Sequence, residues 1–295
     1  MVLAAAVLWG TTGTAQSLAP SGLAPVWVGA LRLLIASAFF GGLLWWHGGA
    51  RGIAALPWRG VLLAGACVAA YNLSFFAGVK ASGVALGTAI AIGSGPIWAG
   101  LLQTLVLRRW PAPVWWLGTL LGVAGGAAMA LDGRTSVQAP AGGIALCLLA
   151  GLSYAAYALL NQKLVARAAP GAVNLAVFGT AALISLPAAF ALAGPLAVSA
   201  RAWGVVLYLG LVATGLAYLL FTHALRHISG ATGVTLALAE PVTAFALAVA
   251  VVGETPSAMA AWGLAGVLGG LLIVVWAEMH AAKRTKAAAA AMDGA

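Results

Sequence analysis

The chain has 295 residues, of which 63% are hydrophobic and only 6% charged. Water-soluble domains carry roughly 25% charged residues, so a soluble fold is excluded and lipid must be the outer solvent. The net charge of +9 does not indicate nucleic acid, because the 14 basic residues stand singly between apolar runs and make no continuous patch.

A helix needs about 20 apolar residues to cross a bilayer. Breaking the chain at charges, prolines and Gly-Pro clusters predicts ten spans: 2–19, 25–46, 60–79, 83–107, 114–131, 141–163, 173–194, 202–224, 229–252 and 258–278. The first run has no basic segment ahead of it, so no cleavable signal peptide is expected. A natural start would carry one or two basic residues there, and the chain is expected to begin late. The connections are short, leaving no room for an inserted soluble domain. The Ala-rich basic tail, 281–295, is expected to be disordered and cytoplasmic. Cys67 and Cys147 sit alone in apolar runs without metal spacing, so they are small core residues.

Lys and Arg orient the spans. With the N-terminus inside, Arg51, Arg59, Arg108, Arg109, Lys163, Arg167, Arg226, Lys283, Arg284 and Lys286 fall on inside segments, against Lys80, Arg134 and Arg201 outside. Both termini are therefore expected in the cytoplasm. Lys80, at an outer span end, is expected to snorkel.

An internal repeat follows from the prolines. Pro96 of Gly95-Pro96 and Pro241 of Glu240-Pro241 are separated by 145 positions, as are Pro111 and Pro256, Gly118 and Gly263, and Gly125 and Gly270. The same offset carries Trp9, Thr12 and Gln16, spaced to share one helical face, onto Tyr154, Tyr157 and Asn161. Tyr71, Ser74 and Phe75 meet Tyr218, Phe221 and Thr222 at 147 instead, which calls for a two-residue change in the flanking loops. Residues 1–131 and 141–278 are thus two five-span repeats. An odd number of crossings makes the second enter from the other side, as in many secondary transporters.

The span order, with Glu240-Pro241-Val242, Gly253-Glu254 and a Gly-rich last helix in the second half, and Trp9-Gly10 and Gly95-Pro96 echoing in the first, resembles the EamA family of drug/metabolite transporters. The resemblance covers essentially the whole chain and is greatest to the YddG-type exporters of aromatic amino acids. It implies ten helices around a central cavity gated at each end by the two repeats. One departure is that Arg108-Arg109 stands where the second half has Gly253-Glu254.

Ten tryptophans near span ends (Trp27, Trp45, Trp46, Trp58, Trp110, Trp115, Trp116, Trp203, Trp262 and Trp276) are expected as an interfacial belt. Trp9 and Trp98 lie deep in their spans and are either core filling or cavity wall. Tyr71, Tyr154, Tyr157 and Tyr218 carry hydroxyls that need partners or water inside a membrane. A cavity ringed by them favours flat or cationic solutes. Asn72, Asn161 and Gln16 add amide groups able to hold a carboxylate or an amine, or to join helices. With Thr12, Ser74, Phe75 and Thr222 they make up the expected substrate cavity.

Two charges lie within spans. Arg32 is in the second and Glu240 is central in the ninth, where Pro241 removes a backbone donor and bends the helix. Glu240 could pair with Arg32, cap the kink, bind a substrate amine or carry a proton. Pro96 and Pro241 are the expected hinges. Gly118, Gly122 and Gly126, with Gly266 and Gly270, form a small-residue pattern that makes spans five and ten a scaffold pair.

Enzyme readings have little support. Gly93-Ser94-Gly95 follows Ile92 where an intramembrane serine protease wants Gly, and only His223 of the histidines lies within a span. No metalloprotease, paired-aspartate or phosphate-loop pattern occurs. The expected function is export of small metabolites, aromatic amino acids first, by alternating access in a bacterial-type inner membrane. No catalytic residue, metal or cofactor is expected, and the chain would act as a monomer more readily than as a dimer. A gated channel and an intramembrane enzyme are the alternatives.

Overall fold

The computed structural model describes residues 1–17, 23–46, 52–106, 108, 110–131, 140–196, 198–252 and 257–293. The elements are all helical. In chain order they are α1 (Val2–Gly10), α2 (Thr12–Ser17), α3 (Pro25–Trp46), α4 (Trp58–Ser82), α5 (Val84–Leu105), α6 (Pro113–Ala130), α7 (Ala141–Val165) and α8 (Pro170–Ala193). Next come α9 (Ala200–Tyr208), a π-helical segment (Leu209–Leu216) and α10 (Ala217–Ala224). Then α11 (Gly230–Leu236), a 3-10 turn (Ala237–Ala239), α12 (Glu240–Leu247), a second π segment (Ala248–Val252) and α13 (Ala258–Asp293) complete the chain.

Among the described residues, eight helical runs are long and apolar enough to cross a membrane, and Val2–Ala15 is an apolar but shorter run. Helix starts follow local chemistry. Pro25, Pro113 and Pro170 open α3, α6 and α8, where a missing N–H leaves no bond unmade. Ser199 and Ser229 cap α9 and α11 by accepting from Ala202 N–H and Thr232 N–H. Gly83 alone joins α4 to α5 at φ +83°, a conformation that glycine adopts without steric cost.

Packing rests on small residues. α6 lies on α13, and a Cβ on Gly125 would stand 2.5 Å from the Gly263 carbonyl oxygen, as one on Gly270 would from that of Gly118. The predicted scaffold pair is therefore in contact, with one change of register. Gly125 faces α13, whereas a Cβ on Gly126 would only graze Val267 at 4.0 Å. The pair is also not isolated, since Thr119 in α6 hydrogen-bonds Thr235 in α11. Elsewhere α3 packs on α8, α4 on α7 and α8, α5 on α7, and α1 on α10 and α12.

Two expectations need correction. Residues 281–293, expected to be disordered, continue α13 as helix, and alanine, which fills 287–291, is the strongest helix former. Trp27 and Trp115, assigned to the interfacial belt, are 3% and 4% exposed. Trp27 donates its indole N–H to the Gly194 carbonyl and packs edge-on against Phe190, while Trp115 lies edge-on to Trp116. By contrast Trp45, Trp46, Trp58, Trp110, Trp262 and Trp276 are exposed, as a belt requires.

A π segment, Leu209–Leu216, stands ahead of Tyr218. A π turn closes i to i+5 and takes in about one residue more than an α turn.

Candidate functional site

α1, α4, α7 and α10 bring their aromatic residues together. Trp9 lies 5.0 Å from Tyr218, 5.5 Å from Phe221 and 6.3 Å from Tyr154, centroid to centroid. Tyr71 meets Tyr154 at 5.7 Å and stacks on Phe75 at 5.7 Å. Tyr154, Tyr71 and Phe75 are half-buried. The Trp9 indole N–H and the Tyr154 hydroxyl are buried with no hydrogen-bond partner among the described residues. Trp98 packs against the main core but joins no ring pair among the described residues.

Tyr157, Asn161 and Thr222 do something different from lining a wall. Tyr157 is 1% exposed and accepts a bond from Asn161 Nδ2 at 3.1 Å. The other Asn161 N–H goes to Thr222 Oγ1 at 2.9 Å, and Thr222 donates to Asn174 Oδ1 at 2.7 Å. This buried chain ties α7, α8 and α10 together. The Tyr157 ring itself joins the aromatic cluster, 5.9 Å from Tyr218 and 6.3 Å from Tyr154, so its hydroxyl ties the buried chain to those rings. Ser74 likewise donates to the Ala70 carbonyl of its own helix. Thr12 is half-buried, and the side chain of Gln16 lies outside the described residues.

The intramembrane charges do not pair. Among the described residues no ion pair within 4.0 Å joins Arg32 and Glu240. Arg32 instead donates Nε–H (3.2 Å) and Nη2–H (2.8 Å) to Asn72 Oδ1. Its guanidinium also lies 5.8 Å from the centre of the Phe76 ring. Asn72 is aimed by its own amide, which donates to the Val68 carbonyl. Glu240 opens α12 directly after the 3-10 turn. Glu240 is half-buried, and its carboxylate has no hydrogen bond among the described residues. An isolated charge at this depth costs about 2.5–3.5 kcal/mol on insertion scales, so two unpaired ones mark a wet or ligand-bearing space.

The two prolines behave unequally. The helical run Gly230–Val251 tightens to a 3-10 turn at Ala237–Ala239, just before Glu240-Pro241, one turn ahead of the proline's lost donor. α5 runs through Pro96 without interruption. Gly10 lets α1 close on the end of that 3-10 turn, because a Cβ there would stand 2.7 Å from the Glu240 carbonyl oxygen.

Several polar groups outside the expected set complete the frame. Tyr208 shares a 2.7 Å hydrogen bond with Thr11, whose hydroxyl bonds back to the Leu8 carbonyl where α1 gives way to α2. Gln162 bonds the Ile228 carbonyl and the Gly230 N–H, and Thr232 bonds the Glu278 carboxylate. One end of α7, α11 and α13 is thereby latched. Next to this latch, a surface pocket of about 360 Å³ is lined by Gln162, Val165, Ala166, Leu225 and Arg226, away from the aromatic cluster. Asn174, Tyr208 and Glu278 escaped the sequence reading because their partners lie 46 to 197 positions away.

Comparison with known proteins accounts for this arrangement. The model of the EamA-like transporter family matches residues 1–131 and again 141–276. The chain belongs to the EamA-like transporter family. It is a multi-pass membrane protein with a transporter's role. An uncharacterized transporter of Bacillus subtilis (strain 168), YwfM, is 39% identical over 274 residues, 92% of each chain. A solved crystal structure superposes with a TM-score of 0.82 over 95% of this chain and 96% of its own. At 18% identity that likeness is one of fold. For an EamA-like transporter, the aromatic cluster between α1, α4, α7 and α10, flanked by the turn before α12, is the candidate solute site.

Proposed function

We propose that this chain is a secondary transporter or facilitator of ten spans, built from two inverted five-span repeats, that exports small metabolites by alternating access. Aromatic amino acids are the best single solute class. The observation that carries this reading is the ring cluster with Glu240 at the turn before α12 on one side and Arg32, held by Asn72, on the other. Interrupted helices are where transporters put sites and hinges. Aromatic faces suit flat solutes and cations.

The pairing of helices supports the repeat. A Cβ on Gly65 would meet Thr180, and one on Gly210 would meet Ile35. Adding 145 to Gly65 and Ile35 exchanges the two contacts. Gly118 against Gly270 and Gly125 against Gly263 exchange in the same way. That one family model matches both halves agrees with the same reading.

Saturable counterflow of phenylalanine, tyrosine or tryptophan in liposomes is the expected result. Flux that never saturates and shows no counterflow would establish a channel instead. Orientation has its own test. Both termini and the 108–113 loop are placed in the cytoplasm, and 132–140 outside. A single cysteine at Ser136 should react with an impermeant maleimide from outside only, and one at Pro113 from inside only. The reverse pattern would overturn this orientation.

A further inference from the structure

We propose that the solute site binds a zwitterion lengthwise, with its carboxylate on Arg32 and its ammonium on Glu240, the flat side chain lying against Trp9 and Tyr71. This rests on the transporter reading and assigns the polar ends of its substrate.

The geometry of Arg32 argues for the carboxylate. A guanidinium has five N–H donors in a rigid fork. Asn72 takes Nε–H and one Nη2–H through a single oxygen. The end-on edge, formed by Nη1 and the remaining Nη2–H, has no protein partner among the described residues. That edge receives a carboxylate in two parallel bonds. Asn72 is itself held by the Val68 carbonyl, so the fork is aimed before any solute arrives.

Glu240 supplies the opposite end. Glu240 is half-buried, and its carboxylate accepts no bond from the protein among the described residues. Asn72, which holds Arg32, adjoins Tyr71, and the Glu240 carbonyl lies against Gly10, which adjoins Trp9. Tyr154 meets both Trp9 and Tyr71, so the two charges stand at opposite sides of one ring cluster. The unpartnered Trp9 indole N–H and Tyr154 hydroxyl offer further donors in the same cluster.

The test uses the full chain in nanodiscs, with radiolabelled phenylalanine displaced by phenylalanine, phenethylamine (no carboxylate) and 3-phenylpropionate (no amine). In the wild type, phenylalanine should displace label at least tenfold more effectively than either half-analogue. Glu240→Gln should weaken phenylalanine and phenethylamine at least tenfold, leaving phenylpropionate, measured directly, within twofold of wild type. Arg32→Gln should do the reverse, weakening phenylalanine and phenylpropionate and sparing phenethylamine. Arg32→Lys and Glu240→Asp keep the charge, should recover part of the lost affinity, and stand in where a neutral variant does not fold. Equal losses for all three compounds, or none, would overturn the assignment. Failure of the wild type to bind phenylalanine, with counterflow of another solute intact, overturns the assignment and leaves the transporter reading standing. Selective binding without counterflow does the opposite.

Discussion

Gly125→Val is expected to abolish a stable folded protein. The Cβ of any residue there would lie 2.5 Å from the Gly263 carbonyl oxygen and 2.6 Å from the Val267 nitrogen. Both are backbone atoms of α13 and cannot rotate aside as a side chain would. Overpacking against movable side chains costs about 1–3 kcal/mol. Here α6 and α13 would have to separate along the seam where Gly118 and Gly270 also touch, so the loss exceeds that range. Size-exclusion profiles and thermal melting in detergent should show aggregate or no expression. Gly126→Ala, one residue on but facing Val267 at 4.0 Å, should be tolerated. So should Gly142→Ala, which meets nothing within 4 Å. Equal tolerance at Gly125 would refute the close seam.

Asn161→Ala is expected to cost about 3–5 kcal/mol of stability. Interhelical hydrogen bonds within membranes are worth about 1 kcal/mol each, and this change removes two, to Tyr157 and to Thr222. It also leaves the Tyr157 oxygen buried without its donor, a further cost of about 1–3 kcal/mol where no relaxation supplies a new one. Unfolding followed by denaturant or heat should show a clear fall, while Lys163→Ala, exposed on the same helix, should leave the midpoint unchanged. In a Tyr157→Phe background the Asn161→Ala cost should shrink, because the acceptor is already gone. An undiminished cost would mean that the two side chains are not coupled.

The structure also sorts the residues singled out from the sequence by what they do. Trp9 and Tyr154 were legible through the offset of 145 and Tyr71 and Tyr218 through that of 147, and these rings do meet. Tyr157 joins the same rings, while its hydroxyl, Asn161, Thr222 and Asn174 bond into a brace that the sequence did not display. A face identifies which way a side chain points but not whether a partner stands opposite. Arg32 shows the same limit. Its depth was evident, but its partner proved to be Asn72 on α4, and the ion pair with Glu240 allowed as one alternative is not made.

Composition and periodicity determined by themselves that this is a membrane protein of apolar helices, and where those helices run to within about three residues at most ends. They could do so because a bilayer dictates length and polarity for every span, and that demand is local to each segment. Local rules also pointed to Pro241 as an irregular place in its helix, although α5 runs through Pro96 and α8 through Pro187 without interruption. Tertiary structure alone decided that Trp27 and Trp115 are buried. It decided as well that Gly125 rather than Gly126 meets α13, and that Arg32 and Glu240 stay apart. Each of these depends on which helix lies opposite, and contacts between residues 40 to 197 positions apart carry no period along the chain for a sequence to display.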